Sequence, residues 1–181
     1  MTGDLPTLEC LAQIATRDLL GPFLTSAQRA QAGVLTPIDP WLVADGTYFV
    51  AEIDGRIRAS GGWSGRYQLI HQPGSDERPP PIEATGPACI RAMYSDPAFA
   101  RQGLARAIVT VCETSARLSG RDKLELVATP IGQLLYLSCG YETIETLQLS
   151  EGGVSFSVFL MRKSLQDGGT TETTTESSNP T

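Results

Sequence analysis

Leu8, Leu11, Ile14, Ala15 and Leu19 recur at helical spacing near the start of the chain, and Gly21-Pro22 stops them. A short second helix is expected next, capped by Ser26, running through Gln31 and ended by Gly33. Thr36 to Pro40 reads as a turn leading into Trp41-Leu42-Val43-Ala44. Two strands follow, Thr47 to Ile53 and Arg56 to Trp63, around the hairpin pair Asp54-Gly55. The doublet Gly61-Gly62 marks a close backbone approach or a bulge at the end of the second strand. Residues 64–87 hold 5 of the 12 prolines and the only histidine, His71, so a long exposed loop is expected there. Cys89 to Ser95 is a strand of large and β-branched residues, stopped by Asp96-Pro97.

Leu104, Ile108, Val111, Ser115 and Leu118 then recur at helical spacing, beside a second row of Ala105, Val109, Cys112 and Ala116. Lys123 to Thr129 alternates as a strand, and the helical crossover makes it parallel to the Cys89 strand. Thr129 caps a short helix with Pro130 at its first position, running to about Ser138 and stopped by Gly140. Tyr141 to Leu149 and Val154 to Arg162 close the pattern as a hairpin through Glu151-Gly152-Gly153. From Gln166 to Thr181 no aliphatic or aromatic residue occurs, and a tail of this kind is expected to be disordered.

Composition narrows the function classes. With 181 residues, 41% hydrophobic and 19% charged, the chain is long enough to bury a proper core. A net charge of -6 and a pI near 4.8 argue against a nucleic-acid surface. No apolar run approaches the ~20 residues of a membrane helix, and the acidic start does not read as a signal peptide. Cysteines at 10, 89, 112 and 139 are too scattered for a zinc site or a disulfide framework, so no metal is expected, and a reducing cytoplasm is the expected compartment.

The candidate chemistry lies where the Cys89 strand hands over to the helix. The first turn of that helix offers backbone N–H groups with no intrahelical partner, in the positive end of the helix dipole. Gly103 lets an anion approach them, and Ala105 keeps the next turn narrow. Arg101 and Arg106 add positive charge, and no acidic residue lies between Pro97 and Cys112. Ala100-Arg101-Gln102-Gly103-Leu104-Ala105 resembles the acyl-CoA-binding loop of the GNAT superfamily of N-acetyltransferases, Gln/Arg-x-x-Gly-x-Gly/Ala. It departs from that pattern at Ala100, which removes one side-chain contact and leaves the backbone cradle. Leu134 to Tyr141 is similar to the family's Tyr-x-x-x-Gly-Phe/Tyr segment, through Tyr136, Gly140 and Tyr141.

The resemblance spans roughly residues 41–163 and implies an α/β (α+β) fold within a single domain of residues 1–165. That fold is a mixed, mostly antiparallel twisted sheet with one parallel, splayed strand pair and flanking helices. Acetyl-CoA is the implied co-substrate, bound by Arg101, Gln102, Gly103, Leu104, Ala105 and Arg106 at the pyrophosphate and by the strand residues Met93, Tyr94 and Ser95 along the pantetheine arm. An amide within Ala92 to Tyr94 would polarise the thioester carbonyl. Tyr136 matches the family tyrosine that protonates the leaving thiolate; a phenol of pKa ≈ 10 suits a thiol of pKa ≈ 8.5. On the acceptor side Trp63, Glu83 and Arg91 are weak candidates, and no carboxylate among Glu52, Glu83 and Asp96 stands out as a general base. The expected partner is a small-molecule amine, and a homodimer is compatible with the reading.

Other constellations fail. Gly62-Trp63-Ser64-Gly65-Arg66 breaks the nucleophile-elbow pattern, and no Gly-x-x-x-x-Gly-Lys loop occurs. A hydrolytic triad would require His71 to leave a proline-rich loop. The rival from another class is a non-catalytic acyl-CoA-binding sensor or scaffold module, which predicts cofactor binding without turnover. A purely structural domain predicts neither.

Overall fold

Six strands form one sheet in the computed structural model, which describes residues 4–32, 38–66, 79–83 and 86–165. They are β1 (Tyr48–Ile53), β2 (Arg56–Ser64), β3 (Ala88–Ser95), β4 (Lys123–Ala128), β5 (Glu142–Glu151) and β6 (Val154–Ser164). Their order across the sheet is β1-β2-β3-β4-β6-β5, and only β3 and β4 run parallel. This is the mixed sheet expected from the sequence. Asp54 and Gly55 turn the first hairpin with both φ values positive, at 52° and 68°, as a two-residue turn of the favoured hand requires.

Helices cover both faces. Helix α1 (Leu5–Ala15) continues through a wider π-helical turn at Thr16–Leu20 and a 3-10 turn at Gly21–Phe23. Among the described residues no strand precedes it. Helix α2 spans Ser26–Gln31, and its cap is Thr25, one residue before the expected Ser26. The reason is a capping box: the Gln28 N–H donates to the Thr25 hydroxyl oxygen at 3.2 Å, while the Gln28 side-chain oxygen accepts from the Thr25 N–H at 2.9 Å. The expected stop at Gly33 lies outside the described residues. A short helix α3 (Pro40–Ala44) begins where a turn was expected to end, because the Asp39 carboxylate accepts from the Trp41 N–H.

Helix α4 (Leu104–Leu118) and helix α5 (Pro130–Ser138) pack on one face of the sheet. Ile108, Val109, Cys112 and Ala116 of α4 meet Ile90, Leu124, Leu126 and Met161 there. On the other face Leu8 of α1 and Leu42 of α3 pack with Tyr48. The alternation along β1 sorts Phe49 and Ala51 to the first cluster and Tyr48 and Val50 to the second.

The proline-rich segment is described only in part, at 64–66, 79–83 and 86–87, and those parts are tied down. Arg66 makes an isolated bridge to Pro81 and an ion pair with Asp45 at 2.6 Å. The Arg121 guanidinium donates to the carbonyls of Ile82, Glu83 and Gly86. The expected tail at 166–181 lies outside the described residues.

Candidate active site

β3 and β4 begin side by side and then part. They pair at Ala88↔Leu124 and Cys89↔Glu125 only, although β3 continues to Ser95 and β4 to Ala128. Meanwhile β3 stays paired with β2 as far as Ala59↔Ser95. The Asp96 N–H donates to the Arg58 carbonyl at 2.7 Å, on the β2 side. Main-chain groups alternate in direction along a strand, so those of Ser95 and Met93 face away from β2, into the opening. Among the described residues no strand pairs with that side of Arg91–Ser95.

A bulge interrupts β3 at this level. Ser60 pairs with Tyr94 and Gly62 with Arg91, so Ala92 and Met93 together oppose Gly61. Ala92 takes φ +52°, a left-handed conformation unusual for alanine. The two glycines of β2 accommodate the crowding. A Cβ on Gly61 would lie 2.0 Å from the Met93 sulfur, and one on Gly62 would lie 2.8 Å from the Tyr48 ring. The glycine doublet therefore serves both readings made of it, a bulge and a close approach.

Beyond β3, Asp96 shapes the turn into the helix. Its carboxylate accepts from the Ala98 N–H at 2.9 Å and pairs with Arg58 at 2.6 Å, with the Arg58 guanidinium over the Phe99 ring. Asp96 is thus occupied as a turn residue. Gly103 then enters α4 at φ +86°, exposed, with nothing within 4 Å of where a Cβ would sit. No side chain caps this helix start, and its first turn holds no acidic residue. The first backbone bond of the helix runs from the Ala107 N–H to the Gly103 carbonyl, which leaves the Leu104, Ala105 and Arg106 N–H groups open. Arg101 and Gln102 are exposed, and Arg101 makes no hydrogen bond or ion pair among the described residues.

Arg106 is placed differently from Arg101. Its guanidinium donates to the Ser138 carbonyl and to the Ser138 hydroxyl oxygen, both at 3.0 Å, and so joins the first turn of α4 to the last turn of α5. Two residues before Ser138, Tyr136 is buried, 6% exposed, edge-on to Tyr141 with ring centroids 5.6 Å apart. Burial pushes its phenol well above the ordinary tyrosine range, and Cys112, Cys139 and Tyr94 lie near enough to add to the shift. Tyr136 thus sits in the core on the α4 and α5 side of the sheet, and its phenol stays protonated at pH 7.

The acceptor-side candidates scatter. Trp63 is buried in the α4-side core beside Ile90. Glu83 is exposed in the segment held by Arg121. Arg91 forms a buried ion pair with Asp39 at 2.8 Å, the two side chains 5% and 3% exposed. Burial lowers the Arg91 pKa against the pull of Asp39. Glu52 is exposed on β1, at the sheet edge. Among the described residues no group of His, Cys, Asp or Glu could hold a metal ion.

The sequence matches the model of the acetyltransferase (GNAT) family over residues 8–141. The chain belongs to the GNAT acetyltransferase family. Solved structures of similar fold include a GCN5-related N-acetyltransferase from Rhodopseudomonas palustris, with TM-score 0.66, 15% identity and coverage of 91% of each chain. A ribosomal-protein-alanine N-acetyltransferase from Brucella melitensis aligns with TM-score 0.61 and 18% identity, over 91% of this chain and 96% of that one. An aminoglycoside 6'-N-acetyltransferase complexed with coenzyme A aligns with TM-score 0.54 and 11% identity, over 91% and 94%. Among curated proteins nothing matches the sequence. No helix among the described residues is long and apolar enough to cross a membrane.

In this GNAT chain a groove of about 210 Å³ lies on the face of β6 that α2 covers. Leu20, Phe23, Leu24, Phe156 and Val158 give it apolar walls, with Gln28, Thr129 and Ser157 as neutral polar groups and no charged side chain. Thr129 and Pro130, at its rim, follow the last residue of β4 directly. Sequence reasoning missed this groove because its walls come from three separate segments. It also missed Asp39 and Tyr48, whose partners on β3 are far along the chain.

Proposed function

We propose that this GNAT enzyme is an N-acetyltransferase that transfers acetyl from acetyl-CoA to a small amine, by direct attack in a ternary complex. One observation carries the reading: β3 and β4 part after two rungs, beside a bare, exposed helix start. The unpaired main-chain groups of Met93 and Ser95 suit the amide-rich pantetheine arm, which would lie in the opening as a further strand would. The open N–H groups of Leu104, Ala105 and Arg106 suit the diphosphate, with Arg101 free to add charge from solvent. On this reading an amide at the β3 bulge would polarise the thioester carbonyl.

Acetyl-CoA supplies an acetyl thioester, whose carbonyl carbon the amine attacks and whose sulfur leaves as thiolate. Tyr136 would donate the proton the thiolate needs, while the attacking nitrogen gives up one N–H proton to solvent as the amide forms and solvent returns a proton to Tyr136. Its raised pKa keeps it protonated in the resting enzyme, and the same desolvation raises the basicity of a thiolate formed beside it.

The test is thiol release from acetyl-CoA against a panel of primary amines, run beside thermal unfolding with coenzyme A. Coenzyme A stabilisation together with turnover on at least one small amine is expected. Stabilisation without turnover on any amine favours a binding module, and absence of both removes the acetyl-CoA reading.

A further inference from the structure

Tyr48 opens β1, two strands away from β3, yet its hydroxyl reaches β3. The ring passes over Gly62, where only glycine leaves room for it. Its oxygen lies 3.0 Å from the Ser60 hydroxyl and 3.0 Å from the Ala92 carbonyl. A phenol carries one proton and a carbonyl none. Tyr48 therefore donates to Ala92, and Ser60 donates to Tyr48. Ser60 is fully buried and Tyr48 nearly so, and burial pushes the Tyr48 phenol up to about 12.

The oxygen that Tyr48 holds belongs to the bulge. The Ala92–Met93 peptide bond is trans, so the Ala92 carbonyl and the Met93 N–H point in opposite directions within one plane. Gripping the oxygen on the α1 face therefore fixes the direction of the N–H, which strand alternation already turns towards the opening between β3 and β4. A donor on the carbonyl also polarises the peptide and strengthens its N–H as a donor. Ala92 at φ +52° is a conformation that an alanine holds only when its surroundings over-determine it. Tyr48 on one side, Met93 seated over Gly61 on the other, and the buried Arg91–Asp39 pair one residue earlier supply that constraint.

We propose that Tyr48 is a positioning residue for acetyl transfer: by holding the Ala92 carbonyl it aims the Met93 N–H at the carbonyl oxygen of the thioester. The inference rests on the acetyl-CoA reading above and adds to it a specific peptide and the side chain that sets it.

Tyr48→Phe removes the hydroxyl and keeps the ring. Turnover is expected to fall about tenfold, with the affinity for coenzyme A, which has no thioester, unchanged within twofold. The specific signature is the carbonyl stretch of acetyl-CoA labelled with carbon-13 at the thioester, bound without acceptor. In the native enzyme it shifts to lower frequency than in solution, and in Tyr48→Phe it moves back towards the solution value. Tyr48→Phe combined with Ser60→Ala leaves no orphaned hydroxyl, protects the fold, and is expected to behave the same way. Ser60→Ala alone keeps the bond to Ala92 and most of the rate. A native stretch and a native rate in the Tyr48 variants overturn the proposal, and so does a rate loss matched by equal loss of coenzyme A affinity. If the unaltered enzyme neither binds nor turns over acetyl-CoA, the acetyl-CoA reading has failed and this inference falls with it.

Discussion

Substitutions at Gly103 separate two effects that are usually mixed. Its φ of +86° strains any L-residue by roughly 1–2 kcal/mol. Because a Cβ there meets nothing within 4 Å, no steric term is added. Gly103→Ala and Gly103→Glu should therefore lose the same stability, about 2–8 °C in Tm for a domain of this size. Only the glutamate adds charge. A carboxylate about 6 Å from two phosphate charges is repelled by roughly 1.5 kcal/mol in bulk water, and by several times that at a surface-like dielectric of about 20. The site is exposed, so the lower part of that range applies. About 2 kcal/mol corresponds to a ~30-fold weaker Kd. Calorimetric titration with coenzyme A at low and high salt reads the effect, with unfolding curves recorded alongside. The alanine variant should bind within a few-fold of the native protein. The glutamate variant should bind ~30-fold more weakly, with the gap between them narrowing as salt screens the charge. Equal Kd values for the two variants would refute the idea that an anion sits at the start of α4.

Three further outcomes are expected. Tyr136→Phe should lower kcat by about 10²-fold with the acetyl-CoA KM within twofold, as loss of a general acid does; native turnover would leave Tyr136 a packing residue. Asp39→Asn should lose roughly 3–5 kcal/mol in urea unfolding followed by tryptophan fluorescence, because it removes the carboxylate charge that balances a buried guanidinium; a loss under about 1 kcal/mol would show that Arg91 does not depend on that charge. Burial raises the phenols of Tyr48, Tyr94, Tyr136 and Tyr141, so the unfolded chain releases those protons first as pH rises. Their contribution is complete below the unfolded value near 10 and is lost above it; a urea midpoint unchanged between pH 9 and pH 11 would contradict their burial.

How far the sequence could be read depended on how local each determinant was. Asp54-Gly55, the Gly103 loop and Thr129-Pro130 each state their geometry within a few residues, and each stands where it was expected. The helical crossover between the Cys89 and Lys123 strands dictated their parallel pairing. Local reading failed where two signals competed a residue apart: Thr25 takes the cap from Ser26 because Gln28 answers it. It failed more completely where the partner is distant. Arg91 looked like a strand charge free for an acceptor, and nothing near it in the chain announces Asp39. The Arg106 side chain likewise bonds a hydroxyl and a carbonyl of α5 that nothing near it in the chain announces. The bulge lay between these cases. Gly61-Gly62 marked its level on β2, while the extra residue on β3 is an alanine with no preference for positive φ.

The two halves of β3 differ in what they are asked to do. Ala88 to Ile90 are buried, with Ala88 and Cys89 paired on both sides of the strand or joined to β4, and they fix the strand in the core. Arg91 to Ser95 keep β2 on one side and lose β4 on the other, which normally lets a strand fray. What replaces the missing neighbour is a set of side-chain anchors on the faces: Asp39 on Arg91, Tyr48 on the Ala92 carbonyl, Met93 against Ile108 through the space at Gly61, and Arg58 on Asp96. These anchors hold the strand on its faces, while among the described residues no strand pairs with the far side of Arg91–Ser95. On the acetyl-CoA reading proposed above, an opening built this way would be preorganised for an extended, amide-bearing ligand, since the ordering of the strand is already supplied by the fold. That makes the anchors as much a part of the site as the atoms that would touch the ligand.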